Sequence, residues 1–120
     1  MKVKGVFKNA DTVREVPAGG IIFQEGDAGD EMFGVIEGEV EVRMAGGLLR
    51  RLGPDETFGE MAIVDSTNRS ATVVAVTDTK LAVINRPTFL FLVTETPMFA
   101  LQVMSSIADR LRNRSEMGGD

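Results

Sequence analysis

One segment of the chain combines an acidic residue, a basic residue and glycine in a pattern that could bind an anion. Residues 58–73 have the sequence FGEMAIVDSTNRSATV, in which Glu60 precedes Arg69 by nine positions. Gly59 permits close approach of a ligand to the backbone, and N–H groups at the start of a helix favour an anion. The planar guanidinium of Arg69 matches a phosphate or a carboxylate. The segment predicts a ligand with an anion for Arg69 and hydroxyl donors for Glu60, as in a ribose phosphate; a plain ion pair is the alternative.

The residue types that the chain lacks exclude most kinds of catalysis. It contains no Cys and no His, and therefore no thiolate nucleophile, thiolate-bound metal, disulfide or imidazole base. Catalysis would have to use carboxylates, Lys, Ser or Thr, so we expect a protein that is not an enzyme. The acidic residues between 25 and 31 lack the spacing of a calcium loop, so we also expect no metal and no cofactor.

Length and charge limit the organisation and the partners of the chain. Its 120 residues predict a single domain over residues 1–120, with a core at about 6–114 and a flexible tail at 115–120. The net charge of −5 argues against direct binding of nucleic acid. No apolar run approaches the roughly 20 residues of a membrane span, and the N-terminus lacks the apolar core of a signal peptide. We therefore expect a cytoplasmic protein that does not associate with membranes.

The elements that would position residues 58–73 are mostly β-strands. Short apolar runs between residues 12 and 85 are separated by Gly, Asp or Pro, which is typical of an all-β sandwich or barrel. Strands are predicted at residues 12–16, 21–24, 32–36, 39–44, 48–52, 71–77 and 80–85. Turn residues predict one hairpin at Glu37-Gly38 and another through residues 77–79.

Two helices are predicted after the strands. The first covers residues 86–93, with Pro87 in its first turn, and the second runs from Pro97 to about Arg114. Four apolar residues of the second helix follow the spacing of one helical face: Ala100, Met104, Ile107 and Leu111. We expect this stripe to dock on the β core over its first two turns. A protein partner or a homodimer through the C-terminal helix is the alternative.

Two ordered motifs resemble those of the cyclic nucleotide-binding domain family, which includes catabolite activator proteins, kinase regulatory subunits and nucleotide-gated channels. Residues 58–73 are similar to the family's phosphate-binding cassette. A second signature lies upstream and comprises Pro17, Gly19, Ile22, residues 25–27, Gly29, Asp30, Met32, Phe33, Gly38, Val40 and Val42. The resemblance covers about residues 6–114. It implies a mainly β fold, a double-stranded β-helix or jelly-roll-like β-barrel with short flanking helices and two C-terminal helices.

The resemblance also implies a role for each residue of the cassette. Arg69 is similar to the arginine that pairs with the exocyclic oxygens of a cyclic phosphate, and Glu60 to the carboxylate that accepts the ribose 2′-hydroxyl. Backbone at the start of the cassette helix and N–H groups before the next strand would also contact the ligand, with the Ser70 hydroxyl as a further donor. The residues concerned are Gly59, Met61, Ala62, Ser70 and Ala71.

Three further residues are implied on the base side of the pocket. Val42 and Leu49 occupy family positions that line it, although residue type alone predicts core positions for both. Arg114, near the end of the second helix, could stack on the purine by a cation–π contact.

The chain departs from the family pattern at Asn68, where many members have Pro, and at Gly34, where a larger residue is common. Ser70 favours cAMP as the ligand and leaves cGMP open. The resemblance thus implies a cAMP sensor that signals by repositioning its C-terminal helices. The alternative is a domain that has lost its ligand and serves as a protein-interaction module.

Overall fold

The computed structural model describes residues 2–44, 47 and 49–118, without the side chains of residues 110 and 113–118. In chain order the elements are β1 (Val13–Val16), β2 (Ile21–Phe23), β3 (Met32–Glu37), β4 (Val40–Met44), β5 (Leu49–Leu52), β6 (Thr57–Phe58), α1 (Met61–Val64), β7 (Ala71–Ala75), β8 (Thr79–Ile84), α2 (Arg86–Glu95) and α3 (Met98–Gly118).

The strands form two four-stranded antiparallel sheets. The first has the order β1-β8-β3-β6 and the second the order β2-β7-β4-β5. The predicted mainly β, jelly-roll-like fold is confirmed, with two sheets that are not closed into a barrel. The two short strands of the cassette region, β6 and β7, lie in different sheets, so the residues between them span the end of the sandwich.

Both predicted hairpins are wrong. The strands around Glu37-Gly38, β3 and β4, belong to different sheets, and so do β7 and β8 on either side of residues 77–79. The two turns bond to each other instead: Thr77 Oγ1 accepts from the N–H of Glu39 at 3.0 Å, and the N–H of Val76 donates to the Glu39 carbonyl at 2.8 Å. Turn-forming residues suit a crossing between sheets as well as a hairpin, and here the paired turns stabilise the crossing.

The space between the sheets is filled by alternate residues of the strands. In β4, Val40 and Val42 are buried while Arg43 is exposed, as expected for a strand with one face in the core. Strands β3 and β8 are buried on both faces because helices and the N-terminal segment cover their outer side. The inner cluster comprises Val16, Ile22, Phe33, Val35, Val40, Val42, Leu52, Phe58, Ala71, Val73, Ala75 and Leu81.

The N-terminal segment packs on the outer face of the first sheet. A Cβ at Gly34 of β3 would collide with the ring of Phe7, so the glycine leaves room for this aromatic side chain. The Phe7 ring also meets Phe99 of α3 edge-on, with centroids 5.8 Å apart. Gly34, a departure from the family pattern, is therefore explained by the packing of residue 7.

Gln102 of α3 joins three parts of the molecule. Its Oε1 accepts from the N–H of Val3 at 2.7 Å, and its Nε2 donates to the carbonyl of Asp55 at 2.7 Å. Only 3% of Gln102 is exposed, and both bonds are partly buried. The N-terminal segment, the turn before β6 and α3 are thereby held together.

The buried face of α3 differs from the predicted stripe. Phe99 and Val103 are buried, whereas Met104 and Leu111 are about 60% exposed. The predicted docking of Met104 in the second turn is therefore wrong, because the larger Phe99 occupies the adjacent helical face. The helix also continues to Gly118, so residues 115–118 of the predicted tail are helical. That the tail is flexible stays a prediction, and its residues 119 and 120 lie outside the described residues.

Candidate functional site

The cassette residues occupy the connection between β6 and β7. Gly59 follows β6 and has φ of +80°, a left-handed conformation that glycine adopts without strain. The chain then forms the single turn of α1, and a polar loop leads to Arg69 before β7. In this turn the N–H groups of Ala62 and Ile63 donate to the carbonyls of Gly59 at 3.3 Å and Glu60 at 3.0 Å. Those two donors are thus engaged within the cassette itself.

A small cavity lies between the cassette and the second sheet. Seven residues that the sequence singled out line it: Val42, Gly59, Met61, Ala62, Arg69, Ser70 and Ala71. Its volume is about 20 Å³, close to that needed for one water molecule. Sites for small molecules typically measure about 300–1,000 Å³, so a nucleotide fits here only after the walls move apart.

Arg69 lines this cavity and is 8% exposed. Its backbone is fixed to the loop after β2, because its N–H donates to the carbonyl of Asp27 and its carbonyl accepts from Gly26, both at 2.8 Å. With the described residues, the side chain makes one long hydrogen bond, from Nη1 to the carbonyl of Gly59 at 3.4 Å. Its Nε is buried without a hydrogen-bond partner among the described residues.

The environment of Arg69 combines burial with nearby negative charge. Burial lowers the pKa of the Arg69 guanidinium, and the carboxylates of Glu31, Asp30 and Asp27 act in the opposite direction without cancelling the effect. A buried cation with unused donors favours an anionic partner. This arrangement suits an anion that bonds to the guanidinium directly.

Glu60 is fully buried but does not line the cavity that contains Arg69. Its Oε2 accepts a hydrogen bond from Ser106 Oγ of α3 at 2.6 Å. The structure therefore does not bring the two charged cassette residues into one pocket, and it shows no ion pair between them among the described residues. Contact of Glu60 with a ribose hydroxyl stays a prediction that requires a change at this end of the cassette.

The three residues predicted on the base side have different positions. Val42 lies in the inner core and also lines the cavity. Leu49 is 57% exposed on β5 and does not line the cavity, so the expectation from residue type that it is core is wrong. The side chain of Arg114 lies outside the described residues, and its stacking on a purine stays a prediction.

Several residues that line the cavity were not predicted from the sequence. They are Phe23, Phe58, Thr67, Asn68 and Val73, of which Asn68 was singled out only as a departure from the family. Phe23 is the most informative, because the guanidinium carbon of Arg69 lies 4.1 Å from the centroid of its ring. Phe23 lies between two motif positions, Ile22 and Glu25, and this position within the motif was the only sequence feature that could have indicated a place in the site.

Two other properties of the described residues bear on the site. They contain no group of three or more His, Cys, Asp or Glu side chains placed to hold a metal ion. None of the helices in the described part of the chain is both long enough and apolar enough to cross a membrane.

Comparison with known proteins gives consistent matches. The family model for the cyclic nucleotide-binding domain matches residues 13–96. The cyclic AMP receptor protein of Thermus thermophilus is 39% identical over 104 residues, covering 82% of this chain and 48% of the relative. The chain spans about half or less of the length of the curated relatives it matches, with 24% for a cyclic nucleotide-gated potassium channel of Mesorhizobium japonicum.

Solved structures resemble this chain in fold and in part of the sequence. One, from work on a cyclic-GMP-dependent signalling pathway in bacterial phytopathogenesis, has a TM-score of 0.76 at 28% identity and covers 94% of this chain and 95% of its own. The EAL enzyme Bd1971 in its cAMP-bound form has a TM-score of 0.64 at 33% identity, covering 90% of this chain and 30% of its own. Its cGMP-bound form gives 0.65 at 32%, covering 88% and 29%. With a family match over most of its length and a cassette folded around a buried arginine, this chain belongs to the cyclic nucleotide-binding domain family.

Proposed function

We propose that this chain binds cAMP as a second-messenger sensor and signals by repositioning its C-terminal helices. The observation that carries the proposal is Arg69, a buried cation in the cassette cavity with an Nε that lacks a partner among the described residues. A cyclic phosphodiester has one negative charge and exocyclic oxygens that would bond to this group. The Ser70 and Ala71 backbone lies beside it in the same cavity wall.

The choice of cAMP over cGMP rests on Ser70 and on the relatives. Ser70 lines the cavity next to Arg69, and serine favours cAMP by the resemblance stated above. A cyclic AMP receptor protein is 39% identical to this chain. Bd1971, however, has both a cAMP-bound and a cGMP-bound form at nearly equal similarity, so cGMP is the competitor in every test.

The proposed signal depends on contact between the cassette and α3. Ser106 of α3 bonds to Glu60, which precedes α1. Because the cavity of about 20 Å³ must open for a nucleotide, the cassette moves on binding, and this hydrogen bond transmits the movement to α3.

We also propose that the protein is cytoplasmic, is not an enzyme and does not bind nucleic acid directly. No His or Cys is available for catalysis, and the net charge is −5. Its partner, a second protein or a second copy of this chain, would bind the C-terminal helices. Large apolar residues there are about half or more exposed: Leu90, Phe91, Met98, Leu101, Met104 and Leu111.

A ligand-free interaction module is the second candidate function. The small volume of the cavity and the engagement of Glu60 by Ser106 favour it. Such a module would leave the same apolar helical surface for its partner and would not respond to nucleotide.

Isothermal titration of the purified protein with cAMP and with cGMP distinguishes the two candidates. Bound nucleotide is first removed by unfolding and refolding, and its absence is checked by ultraviolet absorbance. We expect micromolar or tighter binding of cAMP, weaker binding of cGMP, and about 100-fold weaker binding of cAMP to Arg69→Ala, because charged hydrogen bonds contribute about 1.5–3 kcal/mol each. Arg86→Ala, at an exposed arginine of α2, is the matched control. No heat from folded, nucleotide-free protein would exclude the sensor.

Helix repositioning is measured by electron spin resonance. The chain has no native Cys, so Glu15→Cys on β1 and Leu111→Cys on α3 accept two spin labels without interference. We expect cAMP to change the distance between the labels, and to leave it unchanged in the same pair with Arg69→Ala. Binding without any change in distance would contradict signalling through α3.

A further inference from the structure

The Arg69 guanidinium lies on the face of an aromatic side chain that no motif assigns to the site. Its carbon is 4.1 Å from the centroid of Phe23 and 5.8 Å from that of Phe33. A guanidinium within about 6 Å of a ring centroid is attracted by the negative face of the ring, more strongly when both groups are buried. Phe23 is therefore the nearer of two aromatic contacts of Arg69.

The position of Phe23 relative to Arg69 is fixed by the backbone. Phe23 ends β2 and pairs with Val73 of β7, and β7 begins two residues after Arg69. The loop that follows β2 returns to Arg69 through Gly26 and Asp27, with hydrogen bonds of 2.8 Å on both sides of the arginine backbone. Ring and arginine thus belong to one hydrogen-bonded unit.

Few other contacts with the described residues hold the guanidinium in its plane. Its one hydrogen bond, to the Gly59 carbonyl, is 3.4 Å long, and its Nε has no partner in the described part of the chain. Gly29 adds a steric limit, because a Cβ there would be 2.5 Å from Nε and Nη2 of Arg69. The ring and this glycine confine the group, while its donors remain at its edge.

We infer that Phe23 is a positioning residue for phosphate recognition. This inference rests on the proposed function. Its ring holds the face of the Arg69 guanidinium so that the N–H groups at the edge point to the anion of the bound ligand. A guanidinium uses its faces for stacking and its edge for hydrogen bonds, so both contacts are made at once. An arginine without the ring would have to be ordered by the ligand itself, and affinity would fall.

Phe23 also contributes to packing, so the variants must separate the two roles. Its ring lies 5.9 Å from that of Phe58 and 6.1 Å from that of Phe33. Phe23→Leu retains an apolar side chain and removes the aromatic face, whereas Phe23→Tyr retains the face. Phe89→Leu is the matched control, because Phe89 is also partly buried and packs on another aromatic ring, that of Phe99, at 6.0 Å.

The first measurement is the ¹⁵N–¹H resonance of the Arg69 Nε–H group without nucleotide. The ring current of Phe23 shifts this proton upfield, and we expect the shift in the wild type and Phe23→Tyr and its loss in Phe23→Leu. Titration with cAMP is the second measurement. We expect about tenfold weaker binding to Phe23→Leu and changes within twofold for Phe23→Tyr and Phe89→Leu.

Each other outcome has a definite meaning. Absence of the upfield shift in the wild type, unchanged affinity in Phe23→Leu, or an equal loss in Phe89→Leu overturns the positioning role. If the upfield shift is present but the wild type binds neither cAMP nor cGMP, the proposed function fails. The role of Phe23 in binding then fails with it, although the stacking contact stands.

Discussion

The two charged residues of the cassette are both buried, but different parts of the molecule hold them. Arg69 is surrounded by β2, the loop that follows it and the Gly59 carbonyl. Glu60, nine positions earlier, bonds to Ser106 of the C-terminal helix. One residue thus depends on the β-sandwich and the other on α3.

This difference assigns separate tasks to the two ends of the cassette. A guanidinium fixed by sheet and loop is preorganised for an anion, so its contribution to affinity does not depend on where α3 lies. A carboxylate oxygen that already accepts from Ser106 Oγ of α3 gains less from a ribose hydroxyl that approaches the same oxygen. On the proposed function, affinity comes mainly from the sheet side and the response of the helix from the Glu60 side.

Arg69→Met separates binding from folding most strongly. Loss of the guanidinium should weaken cAMP binding by more than about 100-fold. The same change should raise the free energy of unfolding by about 1 kcal/mol, because a buried charge is replaced by an apolar side chain that packs well on Phe23. Burial lowers the pKa of Arg69. The loss of folding stability from burying the charged guanidinium is therefore present in full at neutral pH, and it is relieved only as the pH rises toward that pKa. Titration calorimetry and thermal unfolding measure the two effects, and a large loss of stability would show that Arg69 holds the fold.

Gly29→Ala should act on the arginine alone. The new Cβ would be 2.5 Å from the guanidinium, which is the far end of a flexible side chain and can move away with little effect on folding. We expect about thirtyfold weaker binding of cAMP and a melting temperature within about 3 °C of the wild type. Gly53→Ala is the control, because a Cβ there has no atom within 4 Å among its described surroundings. Equal effects of the two variants on cAMP affinity would mean that binding does not depend on the position of the Arg69 guanidinium.

Ser106→Ala should have the smallest effect on affinity, and it should strengthen cAMP binding where the two preceding variants weaken it. It removes a hydrogen bond to a buried carboxylate, which should lower the free energy of unfolding by about 1–3 kcal/mol. A ribose 2′-hydroxyl that binds at Oε2 of Glu60 then no longer competes with Ser106, so cAMP should bind about threefold more tightly while 2′-deoxy-cAMP does not. Ser105→Ala, at the neighbouring position of α3, is the control. Tighter binding of both nucleotides would contradict a role of Glu60 at the ribose.

The strands and the cassette could be predicted from the sequence because their signals are local. The alternation of Val40 and Val42 with charged residues and the glycine and proline turns place most strands within one or two residues of their observed ends. Thr57–Phe58 was missed because a strand of two residues has no period. Sheet assignment was missed at Gly38 because the same turn residues permit a hairpin or a crossing.

The surroundings of the charged residues could not be predicted, because they depend on distant parts of the chain. Phe23 and Ser106 each lie 46 positions from their charged partner, Arg69 and Glu60 respectively. Residue type alone gives no reason to select either one. The buried face of α3 could not be predicted for the same reason. Met104 and Val103 are both apolar, and only the packing around Phe99 decides which of them is buried.

The hydrogen bonds of Gln102 have a practical consequence for the construction of biosensors. Since this one side chain bonds to Val3 at one end of the chain and to the turn at Asp55, a displacement of α3 must break or carry along the N-terminal segment. A fluorescent protein fused before residue 3 would therefore report on the helix although its attachment lies about 100 positions away in sequence. Phe7, between the sheet and Phe99, would be the site at which to tune the stiffness of that linkage.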